Sequence, residues 1–571
     1  MAGQGVAPNP VNVLADAHRT LGSGRIDVAA ALFRRFAALC PGEPAGPLGL
    51  GHVALRRGAL GPAIALFARA AALAPDLGRV VLDLGRLCAH DGQPDRAATA
   101  LRAALALAPG SVEGWSALAM AIHAAQGPAA SVAAFRRLAR LLPDVASAHV
   151  NLGNVLFDAG RWPPAEASLR LALALEPARG YALFQLGRVA RRTGRAAAAC
   201  RLLDRAARLE PADSPAMAEI GAELALALRD CGRWEGVIRH GRRAAALIPE
   251  RYDVHLVLGA AAEAEGRTAE ALTAYERAVR CHPGFGEAFT RRATLHLRQS
   301  WRAPPPRPAA GRPGRRLAAT ELGCNGRFGN QLLQYGVLHL YAARHDLDLE
   351  VPDWVGRYLY DCDDPLPGTP LPRVSEEDHD FFAALSDAAP VRAECDVTGY
   401  FCRHTAPLAP HRAEFRALFV PGRHLWPRAA AIEHRLRARG RTVVALHLRR
   451  GDYGWGRFWI APEAWYREWL ERLWPELDAP VLYLATDAPE LAGAFAPFAP
   501  ILAPDLGEPL AGAEFFTDFH ALCVADVVAI SNSTFSFAAS LLNRTARRFV
   551  RPDRDRGALV PYDPWDAEIL L

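Results

Sequence analysis

Eight prolines recur at a nearly fixed interval through the first half of the chain. They are Pro41, Pro75, Pro109, Pro143, Pro177, Pro211, Pro249 and Pro283, and only the step from Pro211 to Pro249 is longer than the others. A regular period of this size is the sequence sign of a repeat architecture, in which each unit buries its apolar face only by stacking on its neighbours. The part of the chain before Trp301 is therefore expected to form an α-helical solenoid and not a single globular core.

Small residues keep phase with these prolines. Glycine or alanine recurs at one fixed place ahead of them, at Gly51, Gly85, Ala119, Gly153, Gly187 and Gly259. Alanine recurs at a second place, at Ala63, Ala97, Ala165, Ala199 and Ala271, and at a third, at Ala70, Ala104, Ala172, Ala206, Ala244 and Ala278. Small side chains let antiparallel helices approach closely, and glycines between them predict the turns, at Gly58, Gly92, Gly160, Gly194, Gly232 and Gly266.

This pattern resembles the tetratricopeptide repeat, a helix–turn–helix unit of about 34 residues. The resemblance implies a superhelix over residues 8–299 with about eight repeats, the fourth and seventh irregular at Ser131 and Val237, and a solvating capping helix around Gly284 to Leu297. A superhelix of such units has a concave groove. The groove is interpreted as a site for a peptide, a partner protein or the acceptor of a reaction, and a spacer or dimerisation surface is the alternative.

Residues 300–316 carry prolines and arginines without an apolar period, which predicts a solvated, semi-rigid linker. From Leu317 onward strand-like and helical patterns alternate, which predicts an α/β domain of parallel sheets over residues 317–571. Its length suits two smaller halves, residues 317–425 and 426–571. A chain starting near Arg312 is predicted to keep ligand binding, since the linker separates the domains.

Arg449 and Arg450 follow the apolar run Thr442 to Leu446, which reads as a buried parallel strand. Ligands of open α/β sheets bind where such strands end. Adjacent guanidinium groups suit an anion, typically a phosphate or carboxylate. The alternative is that local acids, Asp452 included, pair with both arginines.

Two further segments have the same construction. Gly326 to Gln331 (GRFGNQ) follows a strand-like run, Leu317 to Leu322, and opens a helical pattern. Ser531 to Ser536 (SNSTFS) stands between a buried strand and a helix that is predicted from Phe537. Strand, turn and helix start aim backbone N–H groups at an anion or sugar. Helix capping alone accounts for one hydroxyl or amide side chain, not for five in six positions.

The ordered set GRFGNQ, Gly399-Tyr400-Phe401, HLRRGDY from His447, Ala485-Thr486-Asp487 and SNSTFS resembles the inverting fucosyltransferases that use GDP-fucose, most of all the α-1,2-fucosyltransferases. GRFGNQ is also similar to the protein O-fucosyltransferases. The resemblance implies a GT-B-type fold of two Rossmann-like halves, residues 317–425 on the acceptor side and 426–571 on the nucleotide-sugar side. It also implies transfer of L-fucose from GDP-fucose, with inversion, to a glycan hydroxyl in α-1,2 linkage. Two alternatives are a protein O-fucosyltransferase acting on a peptide held by the repeats, and an inactive tetratricopeptide scaffold.

The same resemblance implies roles for individual residues. The catalytic set is Arg449, Arg450, Asp452 and Asn330, with Asp452 and His447 the nearest titratable candidates for the general base. The donor-binding set is His447, Arg449, Arg450, Asp487, Asn532, Ser533, Thr534, Ser536, Arg327 and Gly329.

No metal and no cofactor beyond the donor substrate are expected. The Asp-x-Asp matches at Asp361 to Asp363 and Asp553 to Asp555 would suit a metal-dependent transferase, but neither follows a long apolar strand. Arginines already supply the positive charge that a divalent ion would bring.

Composition argues against several other classes of protein. A net charge of +5 over 571 residues gives no reason to expect a nucleic-acid partner. Ten cysteines without a C-x-x-C spacing argue against a zinc site or a disulfide framework. No leader-like start and no transmembrane segment of about 18 apolar residues is found. The expectation is a cytoplasmic protein, with the inner face of the membrane as the alternative, whose partners are GDP-fucose and a glycan or glycoprotein acceptor.

Overall fold

A computed structural model describes residues 9–570 apart from 212–213, 285, 302, 309–313, 386–389, 455 and 457. The chain divides into two compact units, the first ending at Leu247 and the second beginning at Ile248. Residue 8 and part of the predicted linker lie outside the described residues. None of the helices described is both long enough and apolar enough to cross a lipid bilayer.

The described part of the first unit contains fourteen helices in antiparallel pairs, as the repeat predicts. They are α1 Pro10–Gly22, α2 Ile26–Leu39, α3 Ala45–Arg56, α4 Leu60–Leu73, α5 Gly78–His90, α6 Pro94–Leu107, α7 Val112–Gln126, α8 Pro128–Leu141, α9 Ala146–Asp158, α10 Trp162–Leu175, α11 Gly180–Arg192, α12 Ala196–Ala207, α13 Pro215–Asp230 and α14 Trp234–Leu247.

The phased small residues do what their spacing predicts. Gly153 faces the second helix of its own repeat so closely that an added Cβ would lie 2.6 Å from Leu169 Cγ. The alanine that recurs early in the second helix of a repeat has no exposed surface, as at Ala97 and Ala165. Each predicted turn glycine has a positive φ, for example 70° at Gly160, which costs little without a Cβ.

Both irregular repeats have local explanations. In the fourth repeat the turn is reduced to Gly127 (φ 81°), and Ser131 takes the buried small position by donating its hydroxyl to Pro128 O at 2.9 Å. The longer step from Pro211 to Pro249 arises because α13 has 16 residues where α11 has 13, and its start lies one residue later relative to the preceding proline. Val237 fills the small position of this seventh repeat and is fully buried.

The second unit begins with the eighth helix pair, α15 Tyr252–Ala264 and α16 Thr268–Cys281, followed by α17 Gly286–Ser300. Helix α17 was expected to be a solvating cap, and that expectation is wrong. Ala293 and Leu297 have no exposed surface and belong to the same apolar core as Leu317 and Leu332 of the α/β part. The helix that ends the repeats is therefore built into the α/β fold.

Two sheets follow. The strands are β1 Arg316–Ala318, β2 Asp348–Glu350, β3 Arg373–Ser375, β4 Cys395–Thr398, β5 Thr442–Leu448, β6 Pro480–Thr486, β7 Val527–Ala529, β8 Arg548–Asp553 and β9 Ala558–Pro561. The first sheet is parallel in the order β2-β1-β4-β3, and the second has the order β6-β5-β7-β8-β9 with β9 alone antiparallel. The strand expected over Leu317 to Leu322 ends at Ala318, after which the backbone turns into the GRFGNQ segment.

The α-helices between and after these strands cover both sheets. They are α18 Phe328–Arg344, α19 Val355–Leu359, α20 Phe381–Ala384, α21 Arg412–Leu418, α22 Trp426–Arg437, α23 Glu463–Leu473, α24 Phe516–Val524 and α25 Thr534–Leu542. One core contains residues of both sheets, for example Val397 of β4 and Val443 of β5. The predicted seam, residues 420–427, lies between α21 and the first residues of α22.

The described part of the segment interpreted as a solvated linker is not free. Arg307 pairs with Asp363 at 3.0 Å and with Asp364 at 3.3 Å, and its backbone N–H donates to Asp363 O at 2.6 Å. Arg316 lies in β1 and pairs with the buried Glu350 at 2.7 Å. These arginines fasten the segment to the α/β part of its own unit.

Candidate functional site

The second sheet brings three of the predicted segments to one edge. Strand β5 lies between β6 and β7, and all three run parallel. Their carboxyl ends lead directly into Arg449 and Arg450, into Asp487, and into the segment that starts at Ser531. Side chains separated by up to about 85 residues in sequence are thus neighbours at the edge where open sheets bind ligands.

Arg449 is the centre of this cluster. Its Nη1 lies 2.8 Å from Asp487 Oδ2, and its Nη2 donates to Asp452 Oδ1 at 2.6 Å. Its guanidinium carbon also lies 5.7 Å from the centre of the Tyr453 ring, within the range of a cation–π contact. Two carboxylates and one aromatic face fix the orientation of this side chain.

Arg450 diverges from its neighbour. Its backbone N–H donates to Asp487 Oδ1 at 2.8 Å, and its Nη2 lies 3.3 Å from Glu463 Oε2 at the start of α23. Gly451 lets the chain pass close to Asp487, since an added Cβ would lie 2.6 Å from Oδ2. Asp487 therefore holds both the turn after β5 and one arginine.

Arg327 contributes to this cluster from the segment between β1 of the first sheet and α18. It precedes α18, and its Nη2 donates to Asp452 Oδ2. Burial lowers the pKa of Arg327, and the nearby Arg449 charge lowers it further. Burial would raise the pKa of Asp452, but the charges and hydrogen bonds of Arg449 and Arg327 outweigh it and lower that pKa overall. Asp452 is thus an ionised bridge between two arginines.

The charges named so far balance. Arg327, Arg449 and Arg450 contribute three positive charges, while Asp452, Asp487 and Glu463 contribute three negative ones. The pairing of these arginines with local acids, which the sequence left open as the alternative, is what the structure shows. A phosphate binding here would have to compete with these carboxylates for the same N–H donors.

His447 lies inside the sheet and not in the open cluster. The residue is 5% exposed, and its Nδ1 lies 2.8 Å from Ser531 Oγ. Burial, and secondarily the Arg449 charge, lowers the pKa of His447 to about 3. The imidazole is therefore neutral near pH 7, and its described contact ties β5 to the segment after β7.

The SNSTFS segment combines buried polar groups with helix capping. The Ser533 hydroxyl accepts from Phe535 N at 3.4 Å as the N-cap of α25, and Ser536 Oγ donates to Ser533 O at 3.3 Å. Asn532 is buried, while Thr534 is partly exposed at the helix start. Helix capping at Ser533 and a local hydrogen bond at Ser536 thus engage two of the hydroxyls that were predicted to hold phosphate.

Gly329 and Asn330 have different surroundings on α18. A Cβ added to Gly329 would lie 2.5 Å from Phe535 N, so this glycine permits direct backbone contact between α18 and the start of α25. Asn330 Oδ1 lies 3.9 Å from Cys402 Sγ, beside the Gly399-Tyr400-Phe401 segment that follows β4. The exposed Tyr400 and the partly buried Asn330 therefore lie next to the first sheet.

The last repeat also reaches this region, which the sequence analysis missed. A Cβ added to Gly284 would lie 3.3 Å from Asp452 Oδ2, and one added to Gly286 would lie 2.2 Å from Gly326 O. Thr290 Oγ1 accepts from Gln331 Nε2 at 2.7 Å, with both side chains buried. The repeat pattern gave no signal of this contact, because glycines follow other repeat prolines at the same places, as at Gly110 and Gly180.

Asp518 is a second residue that sequence reasoning missed. It lies on α24 and accepts from the Tyr483 hydroxyl at 2.6 Å. Burial raises the pKa of Asp518 to about 6, and the Asp487 charge adds to the shift. No motif marks this aspartate in the sequence.

Both Asp-x-Asp matches are engaged elsewhere. Asp363 pairs with Arg307, and Asp553 Oδ1 caps a turn by accepting from the backbone N–H groups of Asp555 and Arg556, each at 3.0 Å. Within the described ranges, no group of three or more His, Cys, Asp or Glu side chains could hold a metal ion.

Family models identify the helix pairs. Tetratricopeptide repeat models match residues 14–78, 78–121, 117–179, 150–214 and 222–284. The N-terminal half of the chain therefore consists of tetratricopeptide repeats, as the proline and glycine phases predict. None of the curated proteins compared with the chain matches it.

Solved structures with similar chains include the following three. PilF of Pseudomonas aeruginosa has 21% identity and a TM-score of 0.31, over 36% of this chain and 92% of that one. A tetratricopeptide repeat protein of Parabacteroides merdae has 12% identity and a TM-score of 0.35, over 42% of this chain and 93% of that one. YrrB, described as a TPR protein with an unusual peptide-binding site, has 15% identity and a TM-score of 0.29, over 33% and 95%.

Proposed function

We propose that the protein is a tetratricopeptide interaction protein that carries a transferase: the repeats hold a protein or peptide partner, and the α/β part transfers fucose from GDP-fucose to it. Repeats of this type suggest a scaffold or protein-interaction role, because stacked helix pairs present extended concave surfaces. The observation that supports the transferase is the meeting of Arg449, Asp487 and the SNSTFS segment at one sheet edge.

The proposed chemistry is displacement of GDP from the anomeric carbon of fucose with inversion. The bond from that carbon to the β-phosphate oxygen breaks while the acceptor oxygen forms a new bond and loses its proton. Negative charge then grows on the departing diphosphate. Arg449 and Arg450, at the end of β5, are suited to stabilise it, and the N–H groups at the start of α25 add a second source of positive potential.

Arg327 and Asp452 would align the donor. In this proposal Asp487 and Asp452 orient Arg449 while no substrate is bound. When the diphosphate binds, it replaces these carboxylates as the acceptor of hydrogen bonds from Arg449. Asp452, to which Arg327 still donates, would then accept the acceptor's proton. Asn330, beside Cys402, would lie nearest the sugar and the acceptor. A GT-B arrangement with one half for each substrate, and activity without a metal, complete the proposal.

A glycan acceptor with α-1,2 linkage is the second candidate, and it rests on the HLRRGDY and SNSTFS motifs. A scaffold without activity is the third, and one observation favours it: the three arginines of the cluster are already matched by three carboxylates. A balanced cluster of this kind also stabilises a fold with no substrate present.

The deciding experiment separates donor binding from transfer in the full-length protein. Calorimetric titration with GDP-fucose, GDP-mannose and UDP-glucose measures donor choice. Mass spectrometry of a peptide library and of a glycan panel incubated with GDP-fucose measures transfer. Each assay is repeated after treatment with EDTA, and we expect no loss of activity.

The variant pair is Arg449→Ala and Arg441→Ala. Arg449→Ala is expected to lower transfer by about 100-fold or more, since it removes a donor to the developing charge. Arg441 lies at the opposite end of β5, is exposed and pairs with Asp478, so its loss should leave transfer unchanged. Absence of donor binding by the intact protein would favour the scaffold, and transfer to glycans alone would favour the second candidate.

A further inference from the structure

A polar cavity lies away from the β5 carboxyl end. It has a volume of about 440 Å³ and is lined by residues that follow α25, precede β8 and flank β9, together with part of α21. This volume falls within the range of about 300–1,000 Å³ that small-molecule sites occupy. Because α25 begins at the SNSTFS segment and has nine residues, the cavity lies about 13 Å further along its axis.

Five arginines line this cavity, against a single acidic residue, Asp563. The arginines are Arg412, Arg416, Arg544, Arg547 and Arg548. Asp563 does not neutralise them within the described structure: its Oδ1 accepts from Trp565 N at 2.9 Å, and no arginine of the set lies within ion-pair distance of it. The wall is therefore strongly positive.

Among the described residues, four of the five arginines have no carboxylate partner. Arg548 alone pairs, with Glu476 at 3.6 Å. Arg416 donates to the carbonyls of Leu541 and Asn543, which end α25, and Arg544 donates to Arg416 O at 3.4 Å. Burial lowers the pKa of Arg416, and the charges of Arg412 and Arg544 lower it further. The cations thus repel one another without a compensating anion.

Trp565 supplies a second observation that points to a ligand. The residue is 3% exposed and lines the cavity, with Arg412 and Arg416 at 5.1 and 5.5 Å from its ring centre. Its indole Nε1–H is buried and has no hydrogen-bond partner in the described structure. A buried donor without an acceptor costs free energy that a bound acceptor would recover.

We propose that this cavity is a binding site for a phosphate-bearing anion with at least two negative charges, such as a pyrophosphate or a phosphate ester. Guanidinium groups bind phosphate oxygens in bidentate fashion, and several around one cavity favour a compact polyanion over a single carboxylate. Aromatic residues Tyr562 and Trp565 in the wall suit an organic group attached to the phosphate. The site is independent of the proposed transferase.

The test uses the full-length protein and inorganic pyrophosphate as the probe. Calorimetric titration compares the parent chain with the triple variant Arg412→Gln, Arg544→Gln, Arg547→Gln, whose three side chains are exposed and make few structural contacts. We expect the dissociation constant to rise at least tenfold. The control is Arg467→Gln with Arg472→Gln on α23, which removes two positive charges that do not line the cavity and should leave the dissociation constant unchanged.

Arg449→Ala distinguishes this site from the β5 cluster: it removes the diphosphate contact proposed there, and we expect the pyrophosphate binding that remains to depend on the three cavity arginines. Loss of binding in Arg449→Ala but not in the triple variant would overturn the proposal, and so would no binding of pyrophosphate, of a sugar phosphate or of vesicles. Two further arms identify the source: titration with glucose 1-phosphate, and co-sedimentation with phosphatidylglycerol vesicles. Binding in either arm that depends on the three arginines supports the site and names the source.

Discussion

Helix α17 and the first helices of the preceding repeats share one sequence phase but have different partners. Gly153 and Ala293 each stand ten positions after a repeat proline, and Gly153 faces Leu169 of its own repeat. Ala293 instead meets the α/β part: a Cβ added to Gly512 would lie 2.7 Å from Ala293 O. A small residue at this position therefore packs against the second helix of its own repeat in one case and against the α/β part in the other.

The difference lies in where each helix finds its buried surface. In the first unit, contacts join helices that are adjacent or nearly so in sequence, so stability accumulates repeat by repeat. In the second unit, α17 contributes Ala293 and Leu297 to a core that extends to Ile569, and Arg292 pairs with Glu514 at 3.0 Å. Damage should therefore remain local in the first unit and spread in the second.

The largest expected effect comes from two truncations. A chain that starts at Arg312 was predicted from the linker to keep ligand binding, but it lacks α17, whose Ala293 and Leu297 belong to the α/β core. We therefore expect it to aggregate or to unfold without a cooperative transition. A chain that starts at Ile248 keeps α17 and should unfold cooperatively. Thermal unfolding followed by near-ultraviolet circular dichroism compares them. A cooperative transition for the Arg312 chain would show that the α/β part folds without α17. It would contradict the view that α17 is part of the α/β core.

The next prediction compares two glycine-to-alanine substitutions. Gly329 packs against backbone atoms, whereas Gly153 packs against the Leu169 side chain. Gly329→Ala would force its Cβ onto Phe535 N, and backbone moves less readily than the leucine that faces Gly153. We expect a loss of about 2–3 kcal/mol of unfolding free energy for Gly329→Ala and less than about 1.5 kcal/mol for Gly153→Ala. Hydrogen exchange measured on α18 and α9 reports each unit separately, and equal losses would contradict the distinction.

Thr290→Val tests the hydrogen bond that joins α17 to α18. The substitution removes the acceptor at 2.7 Å and leaves the buried Gln331 amide only the long contact with Gly326 O at 3.5 Å, so we expect a loss of about 1–2 kcal/mol. The matched variant is Thr193→Val, whose hydroxyl donates to carbonyls of its own helix, with an expected loss under about 0.5 kcal/mol. Urea denaturation measures both. A neutral Thr290→Val would mean that apolar packing alone attaches α17.

The smallest effect depends on pH and belongs to the second unit. The folded-state pKa of His447 is about 3, below the ordinary value of 6.5, so the unfolded chain binds one more proton between these values. Stability is then highest above pH 6.5 and falls as the pH is lowered. Between pH 7 and 5.5 we expect His447 to account for a loss of about 1 kcal/mol. In His447→Gln this part of the loss should vanish, and an unchanged pH profile would place the effect in other groups.

The repeats were predictable because their signals are local. Pro75 and Gly58 lie in one unit, and the partner that requires a small residue is never more than about one repeat away. The meeting of Arg449, Asp487 and Ser531 was also within reach, since parallel strands align their carboxyl ends. A periodic pattern shows which element a residue occupies and, in a sheet, the edge it reaches.

Other features depend on contacts that no pattern encodes. The many polar residues of α17 predict a capping helix. Only the tertiary structure reveals that Ala293 and Leu297 are buried in the core of the α/β part. Gly329 suits a ligand loop as well as it suits close packing, and the distance to Phe535 distinguishes the two. The ion pairs of Arg449 and Asp452 likewise follow from tertiary structure. Their partners Asp487 and Arg327 come from separate segments of the chain.

The glycine turns have a consequence for how this gene can change in length. At Gly58, Gly92, Gly160 and Gly194 an added Cβ would have no atom within 4 Å, so these turns have open space beside them. A duplication of one repeat's codons within α1–α12 therefore adds a helix pair that needs no new partner. The same duplication after Cys281 would move α17 away from Gly512 and Gln331. Related genes are thus expected to gain or lose repeats upstream, while the last repeat is inherited together with the sheets.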